Sequence, residues 1–438
     1  MGASGSLSAG PASATPVLLG RTPIFDQRMQ VLGYNFFSAW VPDSDPPSRP
    51  ASADSPLSGL LRSHFDVSNA DAELVSDLAG TGKAWLNAFP GRMEEGAQLP
   101  RVAKSCVLKL CAPGEPSEPA DPVDPSRVSA GDPHGGAGWA RTLVDSGHTV
   151  AVCAWSRWYD YIGEEAAYVV VDRDVASDNL AGCLDLLADH RRVTVVTGVD
   201  SVRDVVEWSR AGATVFQGHA LSHPSGEATE ALSPSRMACL QLLGRLRDPD
   251  TGPKELSRIL SSDLSLAYRA LHVSSLGSAG GLRRPVRSIE EAVILLGREK
   301  LYSWLTFMTL TDMSPHANEQ VTIALVRART CELFALATDP QIADEAFTAG
   351  LISGIALIVG IPLGQLVAKM SVTDDIAKAV LERAGDLGRI LTDAHAWETA
   401  YSLPELSCGV NPVSAGAAYG EALAWVSQIT RSVGLAAA

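Results

Sequence analysis

Few residues in this 438-residue chain combine the type and the spacing that chemistry needs. Gly80-Thr81-Gly82-Lys83 has the outline of a phosphate-cradling loop, in which backbone N–H groups and a lysine hold a nucleotide phosphate. The full pattern fails, because Asp77 and Ala84 occupy its required glycine and hydroxyl positions. A tight turn before a strand is the better reading. His219 and His223 have a four-residue spacing, but they follow a β-rich run and precede Pro224, which argues against a helical metal pair. Asp393 and His395 make only a superficial His-Asp pair. Gly277, Gly280 and Gly281 do not follow a strand, so they are not a dinucleotide fingerprint. No GxSxG elbow is present. The seven cysteines (Cys106, Cys111, Cys153, Cys183, Cys239, Cys331 and Cys408) include no CxxC pair. Most lie in apolar runs, as buried thiols do, and a reducing cytoplasm is the expected location.

The elements that would position any site divide the chain in two. Val17–Phe25, Gly33–Trp40, Ala84–Ala88, Cys106–Leu110, Thr149–Cys153, Tyr168–Asp172, Val193–Thr197 and Thr214–Gln217 read as strands. Helical patterns at Ala176–His190 and Ser201–Arg210 separate the later ones. Strands alternating with helices indicate parallel βα units, and about eight of them indicate a barrel. After Leu232-Ser233-Pro234 the strand pattern stops. Ser288 and Glu291 form a capping box, predicting a helix whose face carries Ile289, Ala292, Val293 and Leu296. Leu301, Trp304, Leu305 and Met308 repeat that spacing. The predicted organisation is a disordered tail over 1–16, an α/β barrel over 17–231, and an all-α domain over 232–430. A low-complexity insertion at 112–137 is too poor in apolar residues to offset its ordering entropy.

Composition narrows the partners. Lys plus Arg total 35 against 50 Asp plus Glu, a formal charge of -15 that argues against nucleic acid. Residues 347–367 carry no charge over about the length of a membrane span. Gly350, Gly354, Gly360 and Pro362 interrupt them, so two short buried helices joined by a turn are expected, and no membrane span. The N-terminus has neither a charged start nor an apolar core, so no secretory signal is expected.

Two resemblances give these halves a family context. Residues 259–310 carry two apolar helices flanking a Gly/Ser turn and the segment Leu282-Arg283-Arg284-Pro285-Val286. This order closely resembles the HDOD domain, a relative of the HD metal phosphohydrolases that lacks their metal ligands. The resemblance implies signalling through a partner, not catalysis. Where the HD hydrolases place a His-Asp pair, this chain has Ser353-Gly354-Ile355.

The first half resembles the EAL domain, a barrel that hydrolyses cyclic di-GMP with two divalent cations. The match rests on Thr22-Pro23-Ile24-Phe25-Asp26 with Val31-Leu32-Gly33-Tyr34, Trp85-Leu86-Asn87-Ala88-Phe89-Pro90, Val196-Thr197-Gly198-Val199-Asp200-Ser201, and Phe216-Gln217-Gly218-His219 with His223-Pro224. The resemblance implies that the family's name-motif glutamate falls at Asn35 and the next strand's at Lys109. It puts the paired aspartates at Cys153 and Ala154, the strand lysine at Val170 and the late glutamate at Thr197. Only Asn87 and Gln217 match, while Asp172 keeps its place as a structural acid. The expectation is a degenerate EAL-like TIM-type barrel followed by an HDOD helical domain, with no enzymatic activity, no cofactor and no metal. It would act as a signalling scaffold on an unidentified protein partner or a second copy of itself. Arg283, Arg284 and Arg287 are candidate interface residues, with a solvated turn as the bland alternative. Cyclic di-GMP binding without hydrolysis is the second reading, with Trp85, Trp155, Arg157, Trp158 and Gln217 available at strand ends. Residual phosphodiesterase activity is the third.

Overall fold

Eight short runs rich in β-branched and aromatic residues become the eight strands of a closed barrel. The computed structural model describes residues 14–42, 79, 82–88, 106–110, 140–154, 156–174, 180–189 and 191–222 of the first half. In the second half it describes 318–359, 362–369, 372–400 and 403–437, with a few isolated residues before them. The strands are β1 (Ala14–Asp26), β2 (Val31–Pro42), β3 (Lys83–Ala88), β4 (Val107–Leu110), β5 (Thr149–Cys153), β6 (Tyr168–Asp172), β7 (Val193–Thr197) and β8 (Val215–Gln217). Each expected strand is present.

The barrel departs from an all-parallel series at one place. β1 runs antiparallel to both β2 and β8, whereas β2 through β8 are mutually parallel. The cause is the short loop between β1 and β2, because a parallel crossover needs a dozen or more residues. The Asp26 carboxylate closes that loop, accepting from the backbone N–H of Arg28 at 2.8 Å and of Gln30 at 2.9 Å. Met29 takes the left-handed conformation there, with φ 61°. At the β2/β3 contact a Cβ on Gly33 would lie 2.2 Å from the Lys83 carbonyl oxygen, so this approach requires glycine. The Gly82-Lys83 step is therefore the turn into β3. Lys83 Nζ lies 3.5 Å from the Tyr168 hydroxyl.

Alternation along the strands sorts the side chains into two cores. Ile24, Trp85, Val107, Ala151, Val170, Val195 and Val215 fill the barrel interior. Phe25, Val169, Val171, Val196 and Phe216 point outward and pack against Cys183, Leu187, Val205 and Trp208. The last two belong to the helix Val202–Arg210, which opens on a capping box: Ser201 accepts from the N–H of Asp204, whose carboxylate accepts from the N–H of Ser201. Burying its Val205 face contributes about 1.5–3 kcal/mol by area removed from water.

The chain forms two compact units, residues 1–223 with 393–421, and residues 224–392 with 422–438. In the second, the helices Asn318–Thr338 and Ala343–Val359 pack backbone to backbone: a Cβ on Gly354 would stand 2.5 Å from Ala324 Cα. The uncharged run at 347–367 is divided at Pro362 between Ala343–Val359 and a second helix, Leu363–Lys369. No helix among the described residues is long and apolar enough to cross a membrane. Phe347 meets Trp425 edge to face, with ring centroids 6.2 Å apart. The insertion at 112–137, Leu296, Trp304 and Leu305 lie outside the described residues.

Candidate functional site at the barrel mouth

The C-terminal ends of the parallel strands carry one more inward layer above the apolar one. Asn87 lies two residues beyond Trp85, Lys109 beyond Val107, Cys153 beyond Ala151, Asp172 beyond Val170, Thr197 beyond Val195, and Gln217 beyond Val215. A two-residue step keeps each on the interior face. Asn35 is the register partner of Trp85, and Thr22 is the register partner of Asn35. Asn87 pairs in register with Lys109, and Thr197 with Gln217. The fold thus brings Asn35, Asn87, Lys109, Cys153, Asp172, Thr197 and Gln217 into one polar set on the interior face of the strands.

Two expected positions do not join it. Val170, the register partner of Cys153, is part of the apolar interior cluster. Ala154 follows Cys153 directly, faces the opposite side and packs against the outer core. Thr22 was not singled out on its own, yet it is 1 % exposed within the layer. Its alternation with Ile24 was the available signal.

The mouth is polar but poor in negative charge. Asn35, Lys109, Thr197 and Gln217 are all buried. Both amide atoms of Asn35, the Asn87 Oδ1 and the Gln217 Oε1 are buried with no hydrogen-bond partner among the described residues. A buried polar atom left without a partner costs about 1–3 kcal/mol. Asp172 is the layer's carboxylate. It accepts from Thr197 Oγ1 at 3.3 Å and from the Asp174 N–H at 2.9 Å. Hard divalent cations take oxygen ligands, and each needs one or more carboxylates among them. The described residues supply amides, a hydroxyl, a thiol and an ammonium around one acid, and this set does not fit the two-cation centre that the EAL resemblance implies. No group of three or more His, Cys, Asp or Glu able to hold a metal occurs among the described residues.

Above the layer, the His219 backbone N–H donates to Asp200 at 2.9 Å, and His219 Nδ1 lies 3.5 Å from the same oxygen. The His219 side chain holds the Asp200 carboxyl down to about 2. Arg173 bridges to Asp204 at 3.1 Å, tying the residue after β6 to the N-terminal cap of the helix Val202–Arg210. His219 is thus engaged by Asp200; His223 lies outside the described residues.

In the helical half, the Ser353 hydroxyl accepts from Arg327 Nη1 at 3.1 Å, with both residues buried. Asp393 is 2 % exposed and accepts from Ser407 N at 2.6 Å, Cys408 N at 2.7 Å and Ser407 Oγ at 3.1 Å. That carboxylate anchors a loop. Arg283, Arg284 and Arg287 lie outside the described residues, as do Trp155 and the side chains of Arg157 and Trp158.

Residues 233–380 match the HDOD domain family. The chain is 25% identical over 250 residues to the cyclic di-GMP phosphodiesterase CdgJ of Vibrio cholerae serotype O1, covering 56% of this chain and 57% of that one. It is 25% identical over 236 residues to the uncharacterized protein YuxH of Bacillus subtilis, covering 52% and 57%. The chain spans a little over half the length of these curated relatives. Among solved structures, a standalone EAL protein from Vibrio cholerae O395 in its c-di-GMP-bound form is 17% identical, covering 47% of this chain and 90% of that one, with a TM-score of 0.32. This chain therefore joins a closed eight-stranded barrel to a segment, residues 233–380, that matches the HDOD domain.

Proposed function

We propose that this chain is a non-catalytic module of cyclic di-GMP signalling that acts by protein–protein interaction through its HDOD segment. One observation carries the reading. The inward-facing strand-end positions carry the buried Lys109 and the uncharged Asn35, Asn87, Thr197 and Gln217, and cation-assisted phosphodiester cleavage needs carboxylates there. The name of CdgJ points the other way, toward hydrolysis. At 25% identity the residues at the mouth weigh more, because catalysis lives in the site rather than in the fold. The domain boundary at 231/232 and the partner role of Arg283, Arg284 and Arg287 are parts of this proposal.

A second reading has its own observation. The Asn35 amide and the Asn87 and Gln217 amide oxygens, without partners among the described residues, are groups that a polar ligand would satisfy, so the barrel would bind cyclic di-GMP without cleaving it. Calorimetric titration of the full chain with cyclic di-GMP, in the absence of divalent metal, separates the two. The scaffold reading expects no binding heat. Saturable binding that is lost in Gln217→Leu would replace it with the receptor reading.

A further inference from the structure

One residue of the second compact unit holds a costly backbone conformation with no structural return. Arg383 caps the helix Asp374–Glu382 in the left-handed region, at φ 56° and ψ 29°. That region suits glycine, and Gly385 takes it shortly afterwards at φ 71°. A side chain there is strained, and such strain concentrates at ligand clamps. The Arg383 side chain makes no hydrogen bond or ion pair among the described residues.

What lies beside it is more positive charge. The guanidinium faces Arg327 and Cys331, which share one side of the helix Asn318–Thr338. Burial of the guanidinium, with the Arg327 charge adding to it, holds its pKa below the usual arginine value. The residue as a whole is exposed, so a solute reaches it from solvent. Arg327 is 3 % exposed and donates from Nη1 to Ser353 Oγ at 3.1 Å. The Ser353 oxygen accepts in that bond, so its own O–H remains a donor. No carboxylate is among the groups that act on Arg383.

We propose that Arg383, Arg327 and Ser353 form a site for a phosphate group in this unit. A guanidinium fork takes two oxygens of a tetrahedral oxyanion, and a hydroxyl takes a third. The bound anion offsets the repulsion between the two arginines and supplies the partner that Arg383 lacks. The site is independent of what the barrel mouth binds.

The test is calorimetric titration of the full chain, at constant ionic strength, with inorganic phosphate, with AMP and with acetate. Arg383→Gly removes the guanidinium and relieves the left-handed strain, so it is expected to melt no lower than wild type. Wild type is expected to bind one phosphate per chain saturably. Arg383→Gly is expected to bind it at least about tenfold more weakly, with Arg383→Lys and Ser353→Ala between the two. Arg383→Lys stands in if Arg383→Gly does not fold. AMP bound more tightly than phosphate, and lost in the same variants, supports the site with an esterified phosphate as its ligand; the reverse order supports it with free phosphate. Absence of saturable phosphate binding by wild type would overturn the inference. So would a folded Arg383→Gly with wild-type phosphate affinity, or acetate bound as tightly as phosphate.

Discussion

Replacing Asp393 with alanine tests whether the His-Asp-like residues of the second half are structural. Asp393 is buried, and its two oxygens accept three hydrogen bonds, from Ser407 N, Ser407 Oγ and Cys408 N, over 2.6–3.1 Å. A hydrogen bond to a charged group contributes about 1.5–3 kcal/mol, and a donor left buried costs about 1–3 kcal/mol. Ser407 is exposed, so water can replace part of what is lost there. The expected destabilisation is therefore about 2–4 kcal/mol, concentrated in residues 403–410. With two compact units, a single melting temperature is a poor measure, so the assay is hydrogen exchange of the Ser407 and Cys408 amides by mass spectrometry. Cys408 offers a second readout. Burial, with the Asp393 carboxylate adding to it, pushes the thiol up to about 12, so it stays neutral and unreactive at pH 8. In Asp393→Ala, amide exchange at 407–408 should accelerate and iodoacetamide should label Cys408 faster. Asp393→Asn, which keeps one acceptor oxygen, should fall between. Unchanged exchange and unchanged labelling in the alanine variant would refute the anchoring role.

Two more perturbations probe the barrel. The Asp200 carboxyl is lowered from 3.8 to about 2, chiefly by the His219 side chain, so its contribution to stability is complete above about pH 4 and is lost as pH falls through 2. Its side chain is 46% exposed, which discounts a ceiling of about 2 kcal/mol to about 1 kcal/mol, and Asp200→Asn should cost that much at pH 7 and nothing below pH 2 in paired denaturation curves. Gly33→Ala puts a Cβ 2.2 Å from the Lys83 carbonyl oxygen, and the strand shift it forces should cost about 1–3 kcal/mol in a urea melt; an unaltered midpoint would mean that β2 and β3 are not this close.

The strands were legible because each is a short run of β-branched and aromatic residues between turn signals, and Thr149–Cys153, Tyr168–Asp172 and Val193–Thr197 keep their expected bounds. The reversed β1 was not read, although the brevity of the Gln27–Gln30 loop already forbade a crossover. At the site, alternation alone should have separated Cys153 from Ala154, since neighbouring residues cannot both face inward. Other features needed the fold itself. Asn35 faces the interior because of its register with Trp85, far away in sequence, and no local pattern carries that pairing. The anchoring of Ser407 and Cys408 by Asp393 is equally non-local, and only packing brings them together.

The proposed module carries out no metal-dependent hydrolysis at the barrel mouth. This is tested most directly by incubating the full chain with cyclic di-GMP and millimolar Mg2+ or Mn2+ and quantifying the linear dinucleotide by chromatography. The buried Lys109 ammonium and the neutral side chains of Asn35, Asn87 and Gln217 predict product no higher than a no-enzyme control. Turnover above that control, abolished by Asn87→Ala, would contradict the account.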